Sequence, residues 1–330
     1  MERYIAIDNV CAWPNLTLMP DGSIIATIFN QPCHGAWEGD VECWASTDGG
    51  RLWHRRGVAA AHEPGTNRMN VAAGLVHNGD LLVIASGWSN RPPAGQPPLP
   101  GKSEVLAPWV CRSSDGGRTW QHTERISVPQ GAPAIIPFGD IVAAPDGSLA
   151  VTFYSWDVDQ KRPDNWVYLL RSHDDGRTWA DATVLAEGNH NEANPVILDE
   201  RRWLAAVRTT GGQPLDLFVS DDAGRTWRCE GPLTLPMQHP AHLLKLADGR
   251  VLLTYGLRNR GLHGVGARFS ENAGQTWGPP MVLVGWEETT DNGYPASVQI
   301  VDGTIITAYY ASRNASHHRY HMGVVRWRAE

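Results

Sequence analysis

The sequence predicts an all-β chain built from six repeated four-stranded units, and three observations carry that prediction. An eight-residue pattern recurs five times, a second turn signal alternates with it, and glycine (34) and proline (23) are abundant in a chain of 330 residues. Repeats of this period indicate stacked or radial architectures before any single element is considered. Tryptophan is the compositional outlier: its 15 copies outnumber tyrosine (8) and phenylalanine (5).

The first pattern is S-x-D-x-G-x-T-W. It reads Ser46 to Trp53, Ser113 to Trp120, Ser172 to Trp179, Ser220 to Trp227 and Ser270 to Trp277, with Leu52 and Asn272 as the departures. Aspartate accepts backbone N–H groups inside a tight turn, and glycine supplies a positive φ. The threonine begins the next strand, and the tryptophan folds back over the turn. Each copy is therefore read as a self-stapled hairpin loop, and its aspartate as a structural residue. The second signal is an Asp-Gly or Asn-Gly pair between apolar runs, at Asp21-Gly22, Asn78-Gly79, Asp146-Gly147, Asp248-Gly249 and Asp302-Gly303, with a degenerate sixth at Asp199-Glu200. Such pairs mark tight hairpins. Six hairpins and five staples give six four-stranded sheets, and six sheets arranged radially make a six-bladed β-propeller. Met1 to Ile7 has no hairpin partner, so it is expected to complete one blade with Gly323 to Arg328. The whole chain, 1–330, then forms a single domain.

Composition excludes several classes. Hydrophobic residues make up 42% and charged residues 19%, unlike a disordered chain. The net charge of −7 gives no electrostatic reason to expect nucleic acid or an anionic membrane as partner. No apolar run is long enough for a spanning helix. The N-terminus lacks a basic segment followed by an apolar one, which leads to an expectation of a cytoplasmic protein. Five scattered cysteines with no CxxC pair are read as free thiols. The histidines show no HExxH or comparable spacing, so neither a metal nor another cofactor is expected.

The repeated pattern is the Asp-box, and the chain resembles the sialidase superfamily of six-bladed propellers from about Pro14 to Arg328. The pattern is specific for the fold and weak for function, so function rests on the funnel residues. The hairpins locate them. Ahead of each turn stand Trp13-Pro14, Asn70-Val71, Phe138-Gly139, Glu192, Pro240 and Tyr294. Beyond each turn stand Asn30-Gln31, Trp88, Tyr154 to Trp156, Arg208, Arg258 and Tyr310 to Arg313. Glu192 and Arg208 flank the fourth hairpin and are expected to be cross-strand neighbours. The resemblance implies that Glu192, in Asn191-Glu192-Ala193-Asn194-Pro195, assists a tyrosine nucleophile and that Arg208 binds a substrate carboxylate. It implies that Tyr294, in Gly293-Tyr294-Pro295-Ala296-Ser297, is that nucleophile. A phenol needs such a base because its ordinary pKa is about 10.

The chief departure is at Cys11-Ala12-Trp13-Pro14, where Ala12 occupies the place of the family's first-blade arginine, one of three. Its loss argues against ordinary sialic acid hydrolysis. Arg258 is expected in the remaining clamp, Arg68 as a compensating cation, and Trp13 and Trp88 as stacking platforms for a pyranose. The general acid is expected on the loop from Asn30 to Asp40, with Asp40 first, then Glu38 and His34, and with Trp37 raising its pKa by desolvation. Asp157, Asp159 and Asp164 are read as surface loop residues. The reading that follows is an exo-acting glycoside hydrolase for a small acidic sugar, sialic-like or uronic. A polysaccharide lyase using Tyr294, His239 and Arg208 on a uronate, and a glycan-binding propeller without catalysis, are the alternatives. His239 enters either enzyme reading as a substrate-binding group.

Overall fold

The computed structural model describes residues 1–35, 37–91, 104–157, 165–285 and 287–329. Asp159 and Asp164 lie outside the described residues. Among the described residues the chain is all β, with 24 strands and no helix.

Strand β1 (Glu2–Asp8) opens the chain. Five antiparallel units of four strands follow. They are β2–β5 (Cys11–Leu18, Ile24–Phe29, Val41–Ser46, His54–Ala60) and β6–β9 (Asn70–Leu75, Leu81–Ser89, Glu104–Ser113, Gln121–Thr123). Next come β10–β13 (Ile135–Ala143, Leu149–Ser155, Val167–Ser172, Ala180–Ala186) and β14–β17 (His190–Ile197, Trp203–Thr209, Leu215–Ser220, Arg228–Pro232). The fifth is β18–β21 (Gln238–Lys245, Val251–Asn259, Leu262–Ser270, Met281–Val284). The last three strands, β22 (Asn292–Gln299), β23 (Ile305–Ala311) and β24 (His321–Trp327), take β1 as their fourth in the order β1-β24-β23-β22. The second and third units share one sheet through a short parallel pairing, Gly139 opposite Ala72 and Asp140 opposite Ala73. The first strands contact one another in the sequence β2, β6, β10, β14, β18, β22, and β22 contacts β2 in turn.

Burial falls from the inner to the outer strands. β7 is buried throughout, whereas β9 is exposed. Inner strands covered on both faces need continuous apolar runs, and Leu81-Leu82-Val83-Ile84-Ala85 is one. The hairpins between first and second strands carry the turn chemistry expected of them. Gly22, Gly79, Gly147, Gly249 and Gly303 all have φ between 81° and 90°. The side chain before each glycine accepts the backbone N–H two residues on, as Asp146 Oδ1 does from Ser148 at 2.9 Å. Asp199 does the same for Arg201 at 2.8 Å without a glycine.

The five S-x-D-x-G-x-T-W loops join third to fourth strands and share one bonding scheme. In the third, Ser172 Oγ donates to Asp174 Oδ1 (2.8 Å) and accepts from Gly176 N (2.8 Å), while Asp174 Oδ1 accepts from Thr178 N (2.8 Å). Trp179 Nε1 closes the loop on Gly176 O at 3.2 Å, as Trp120 and Trp227 do in theirs, whereas Trp53 Nε1 donates to Tyr4 Oη. These loops also fasten one unit to the previous one. An arginine of the preceding unit donates to the carbonyl ahead of the loop glycine in all five: Arg326 to Gly49 O, Arg56 to Gly116 O, Arg112 to Asp175 O, Arg171 to Ala223 O and Arg202 to Ala273 O. The glycine itself sits against that unit. A Cβ on Gly117 would lie 2.4 Å from Cys43 Sγ, and its φ of 92° disfavours any side chain.

Candidate functional site

The first strands of five units break register, four of them at their entry ends and β10 farther along. The irregularities fall between Cys11 and Asn15 in β2, Phe138 and Val142 in β10, His190 and Ala193 in β14, Gln238 and Ala241 in β18, and Gly293 and Ala296 in β22. A bulge re-aims the side chains it contains, and bulges gather beside active sites. Here the bulged segments hold Ala12-Trp13-Pro14, Glu192, His239 and Tyr294. Tyr294 adopts φ +50°, a strained region for a bulky residue. Beside it, Gly293 packs so closely on β19 that a Cβ would lie 2.8 Å from Gly256 Cα.

Three side chains meet where these bulges converge. Tyr294 Oη donates to Glu192 Oε1 at 2.6 Å. Arg208 Nη1 donates to Glu192 Oε2 at 2.7 Å and to Tyr294 Oη at 2.8 Å. Tyr294 and Glu192 are each 5% exposed. Burial, reinforced by the Glu192 charge, pushes the Tyr294 phenol above its usual range, against the pull of Arg208 and Arg258. Burial also opposes the charge on Arg208, but the facing Glu192, Tyr294 and Tyr154 outweigh it and hold the guanidinium protonated. The group is thus a neutral phenol, a carboxylate acceptor and a fixed cation sharing one set of hydrogen bonds.

Its surroundings come from several units. The Trp13 indole stacks on the Tyr294 ring, with centroids 4.2 Å apart and planes inclined by 20°. Arg258 places its guanidinium 5.3 Å from the centroid of the same ring and donates to Asn292 O at 3.3 Å. Asp291, three residues before Tyr294, accepts from Tyr310 Oη at 2.5 Å and from Tyr320 Oη, and meets His34 Nδ1 at 3.0 Å. Burial works against that carboxylate, yet the bonds from His34, Tyr310 and Tyr320 pull its pKa well below the usual range. Under the tyrosine lies a small cavity of about 20 Å³, lined by residues that include Asn15, Asn194 and His242. Asp140, of β10, joins Asn15 (3.1 Å) to His242 (2.9 Å) across the centre.

Residues 22–307 match the model of the BNR repeat-like domain. A sialidase from Micromonospora viridifaciens is 24% identical over 84% of this chain, and the chain spans about half (47%) of that relative's length. Among solved structures, a protein of unknown function from Dyadobacter fermentans superposes with a TM-score of 0.82 at 23% identity, covering 99% of this chain and 97% of that one. A Hadza microbial sialidase superposes at 0.74 with 19% identity, covering 97% and 66%. The chain belongs to the BNR repeat-like domain family and to the sialidase superfamily.

Within this superfamily member the remaining expected residues fall in different places. Arg68 does not reach the Tyr294 group. Its guanidinium lies 3.6 Å from the centroid of the Trp109 ring and donates to Ala107 O at 2.8 Å, in the apolar layer between the first and second units. A planar cation on a long stem finds an indole face a better seat than a site already supplied with cations. Of the two expected stacking platforms, Trp13 is 8% exposed with one face on Tyr294, and Trp88 is 4% exposed, set edge-on to Trp156 and part of the same buried cluster as Tyr294. Trp37 is 56% exposed, so it shields no loop carboxylate from water. Asp40 accepts from Asn30 Nδ2 (3.3 Å) and from His62 N (2.8 Å), and its Oδ1 lies 2.6 Å from His62 Nδ1. His62 Nε2 also meets Glu38 at 3.3 Å. His34 is the loop residue that touches the central group, edge-on to Trp13 at 4.9 Å. Asp157 is partly exposed. Sequence reasoning missed Asp291 and His62; the one available signal was the position of Asp291 just ahead of Tyr294.

Proposed function

We propose that this protein is a glycoside hydrolase acting on an acidic sugar, with Tyr294 as nucleophile, and that its six units stand as the blades of a closed propeller around that tyrosine. The observation that carries the reading is the 2.6 Å hydrogen bond from Tyr294 Oη to Glu192, with Arg208 bonded to both. A buried phenol with a raised pKa is a poor nucleophile unless its proton leaves as it attacks, and Glu192 Oε1 is in line to take it. A neutral attacking group suits a substrate that brings its own negative charge, which is the exception to the two-carboxylate arrangement of most glycosidases. Arg208 and Arg258 supply the cations for that charge.

In the proposed reaction Tyr294 Oη bonds to the anomeric carbon as the glycosidic bond breaks. Its proton passes to Glu192, and the leaving oxygen takes a proton from an acid on the loop from Asn30 to Asp40. Water then attacks the anomeric carbon and breaks the tyrosyl–sugar bond; it gives its proton to the loop acid, now a carboxylate, while Glu192 returns the proton to the phenol. Asp40 is the proposed acid, because His62 stands ready to relay a proton to it at 2.6 Å. Ala12 at the mouth of β2 leaves the site one cation short of the three its relatives' pattern implies, which argues for an acidic sugar outside the ordinary sialic acids.

The test uses aryl neuraminides and aryl uronides. Tyr294→Phe and Glu192→Gln are expected to reduce turnover by at least about 100-fold while leaving the fold intact. Wild-type rates in either variant would remove the nucleophile pair. Ultraviolet absorbance from an unsaturated uronate, without a reducing sugar, would replace hydrolysis with elimination.

A further inference from the structure

His239 is 3% exposed, yet neither ring nitrogen has a hydrogen-bond partner. A buried polar group without a partner is costly, and native structures almost always satisfy such groups. Two more orphans stand close by: Arg208 Nε and Arg258 Nε are buried and unpaired. His239 lies in the β18 bulge, next to the backbone bond from Arg258 N to Met237 O at 2.9 Å. Burial, with the charges of Arg208 and Arg258, pushes its pKa down to about 3. The imidazole is therefore neutral at ordinary pH, with one nitrogen donating and the other accepting. In the free protein water can serve these atoms; a bound ligand has to replace what water supplied.

The two guanidinium nitrogens ask for an anion. The accepting imidazole nitrogen asks for something different in the same place: a donor, carried by the ligand close to its acidic group. Chemistry separates the acidic sugars on this point. In a hexuronate the carbon bearing the carboxylate adjoins a carbon with a free hydroxyl. In a 3-deoxy-ulosonate such as N-acetylneuraminate, the neighbouring ring carbon is a methylene and offers no donor.

We propose that His239 reads the hydroxyl next to the acid-bearing carbon, so that the preferred ligand of this site is a hexuronate and not a 3-deoxy-ulosonate. The proposal rests on the acidic-sugar reading and specifies its substrate class. A site built around a hydroxyl rejects the analogue lacking it far more strongly than an apolar pocket rejects a missing methylene.

Calorimetry on the full chain tests this with three probes: methyl glucuronide, its 4-deoxy counterpart, and the methyl glycoside of N-acetylneuraminate. The glucuronide is expected to bind at least tenfold more tightly than either of the others. His239→Leu should erase the difference between glucuronide and 4-deoxyglucuronide, and His239→Gln should retain part of it. Equal affinity for those two on the wild-type protein overturns the proposal, even if His239→Leu fails to fold. A difference that persists in a folded His239→Leu protein overturns it too. If none of the three acids binds, the acidic-sugar reading falls and takes this proposal with it. If all three bind alike, that reading survives and only the role of His239 is lost.

Discussion

At the scale of single residues, Arg208 pairs with a buried carboxylate and has a proposed part in substrate binding, and a conservative replacement separates the two. Its Nη1 holds Glu192 and Tyr294 at 2.7 and 2.8 Å, and the Glu192 side chain is only 6% exposed. Removing the cation leaves a buried carboxylate unpaired, which typically costs about 3–5 kcal/mol. Arg208→Met is expected to lose that much stability in urea unfolding. Arg208→Lys keeps a charge but not the planar fork, so it should unfold near wild type while KM for an acidic substrate rises at least about tenfold. An unchanged KM in the lysine variant would remove Arg208 from substrate binding. The Tyr294, Glu192 and Arg208 positions were legible because the hairpin turns act as a ruler, and strand geometry carries that ruler to the entry ends. Arg68, two residues ahead of Asn70, went elsewhere, because position along a strand does not say where a long side chain will turn. Trp109 offered Arg68 a free face, and no periodicity in the sequence announces that. Asp291 was illegible for a related reason: its partners Tyr310 and Tyr320 meet it only after β22, β23 and β24 have paired.

At the scale of elements, the repeat loops were the most readable part of the chain: the aspartate was expected to accept backbone N–H groups inside the turn, and Asp174 Oδ1 accepts from Arg177 N and Thr178 N. The Asp174 and Asp222 pKa values sit at about 2: burial is the largest single influence and raises them, but the hydrogen bonds from the threonine and serine hydroxyls and the backbone N–H groups together outweigh it. A carboxyl depressed in the folded state stabilises above its unfolded value of about 4 and loses that contribution as pH falls through its folded value. Stability is therefore expected to decline between about pH 4 and pH 2. These carboxylates are only partly buried, so solvent screening keeps each share small. The chain contains its own control: the fifth loop has Asn272, whose Oδ1 accepts from Thr276 N at 2.8 Å and whose Nδ2 donates to Thr276 Oγ1 at 2.8 Å. An Asp174→Asn, Asp222→Asn double variant should keep both loops and show a shallower fall in its urea midpoint over that pH range. An identical slope would mean that other carboxylates govern acid unfolding. The sequence did not disclose the arginine from the preceding unit that clasps each loop carbonyl. Those arginines come from β24, β5, β8, β12 and the residue just ahead of β15, so they follow no common spacing in the chain.

At the scale of the whole molecule, the question is what closes the ring of contacts among the first strands. The pairing of the two chain ends was legible because Met1 to Ile7 had no partner of its own, and β1 does pair with β24 from Glu2↔Arg326 to Asp8↔His321. A buried lock that no motif signals reinforces the seam: Arg3 bonds Glu287, Arg3 Nε donates to Tyr309 Oη at 2.9 Å, and Tyr309 Oη donates to Glu287 Oε1 at 3.1 Å. The sixth unit has no S-x-D-x-G-x-T-W loop, so β1 is its only fourth strand and this lock replaces the missing staple. Without β1, β24 becomes an open edge, Glu287 loses its cation, and the sixth unit is left as three strands between two complete neighbours. Removing residues 2–8 is therefore expected to lower the melting temperature by about 10 °C or more, since 1 kcal/mol corresponds to about 2–4 °C in domains of 150–250 residues. Arg3→Met, which breaks the lock but keeps the strand, should cost less. A synthetic peptide spanning Glu2 to Asp8 should restore part of the loss by adding back the missing strand. If the truncated chain melts with the full one and the peptide has no effect, the contacts among the first strands suffice for stability, and β1 is dispensable to it.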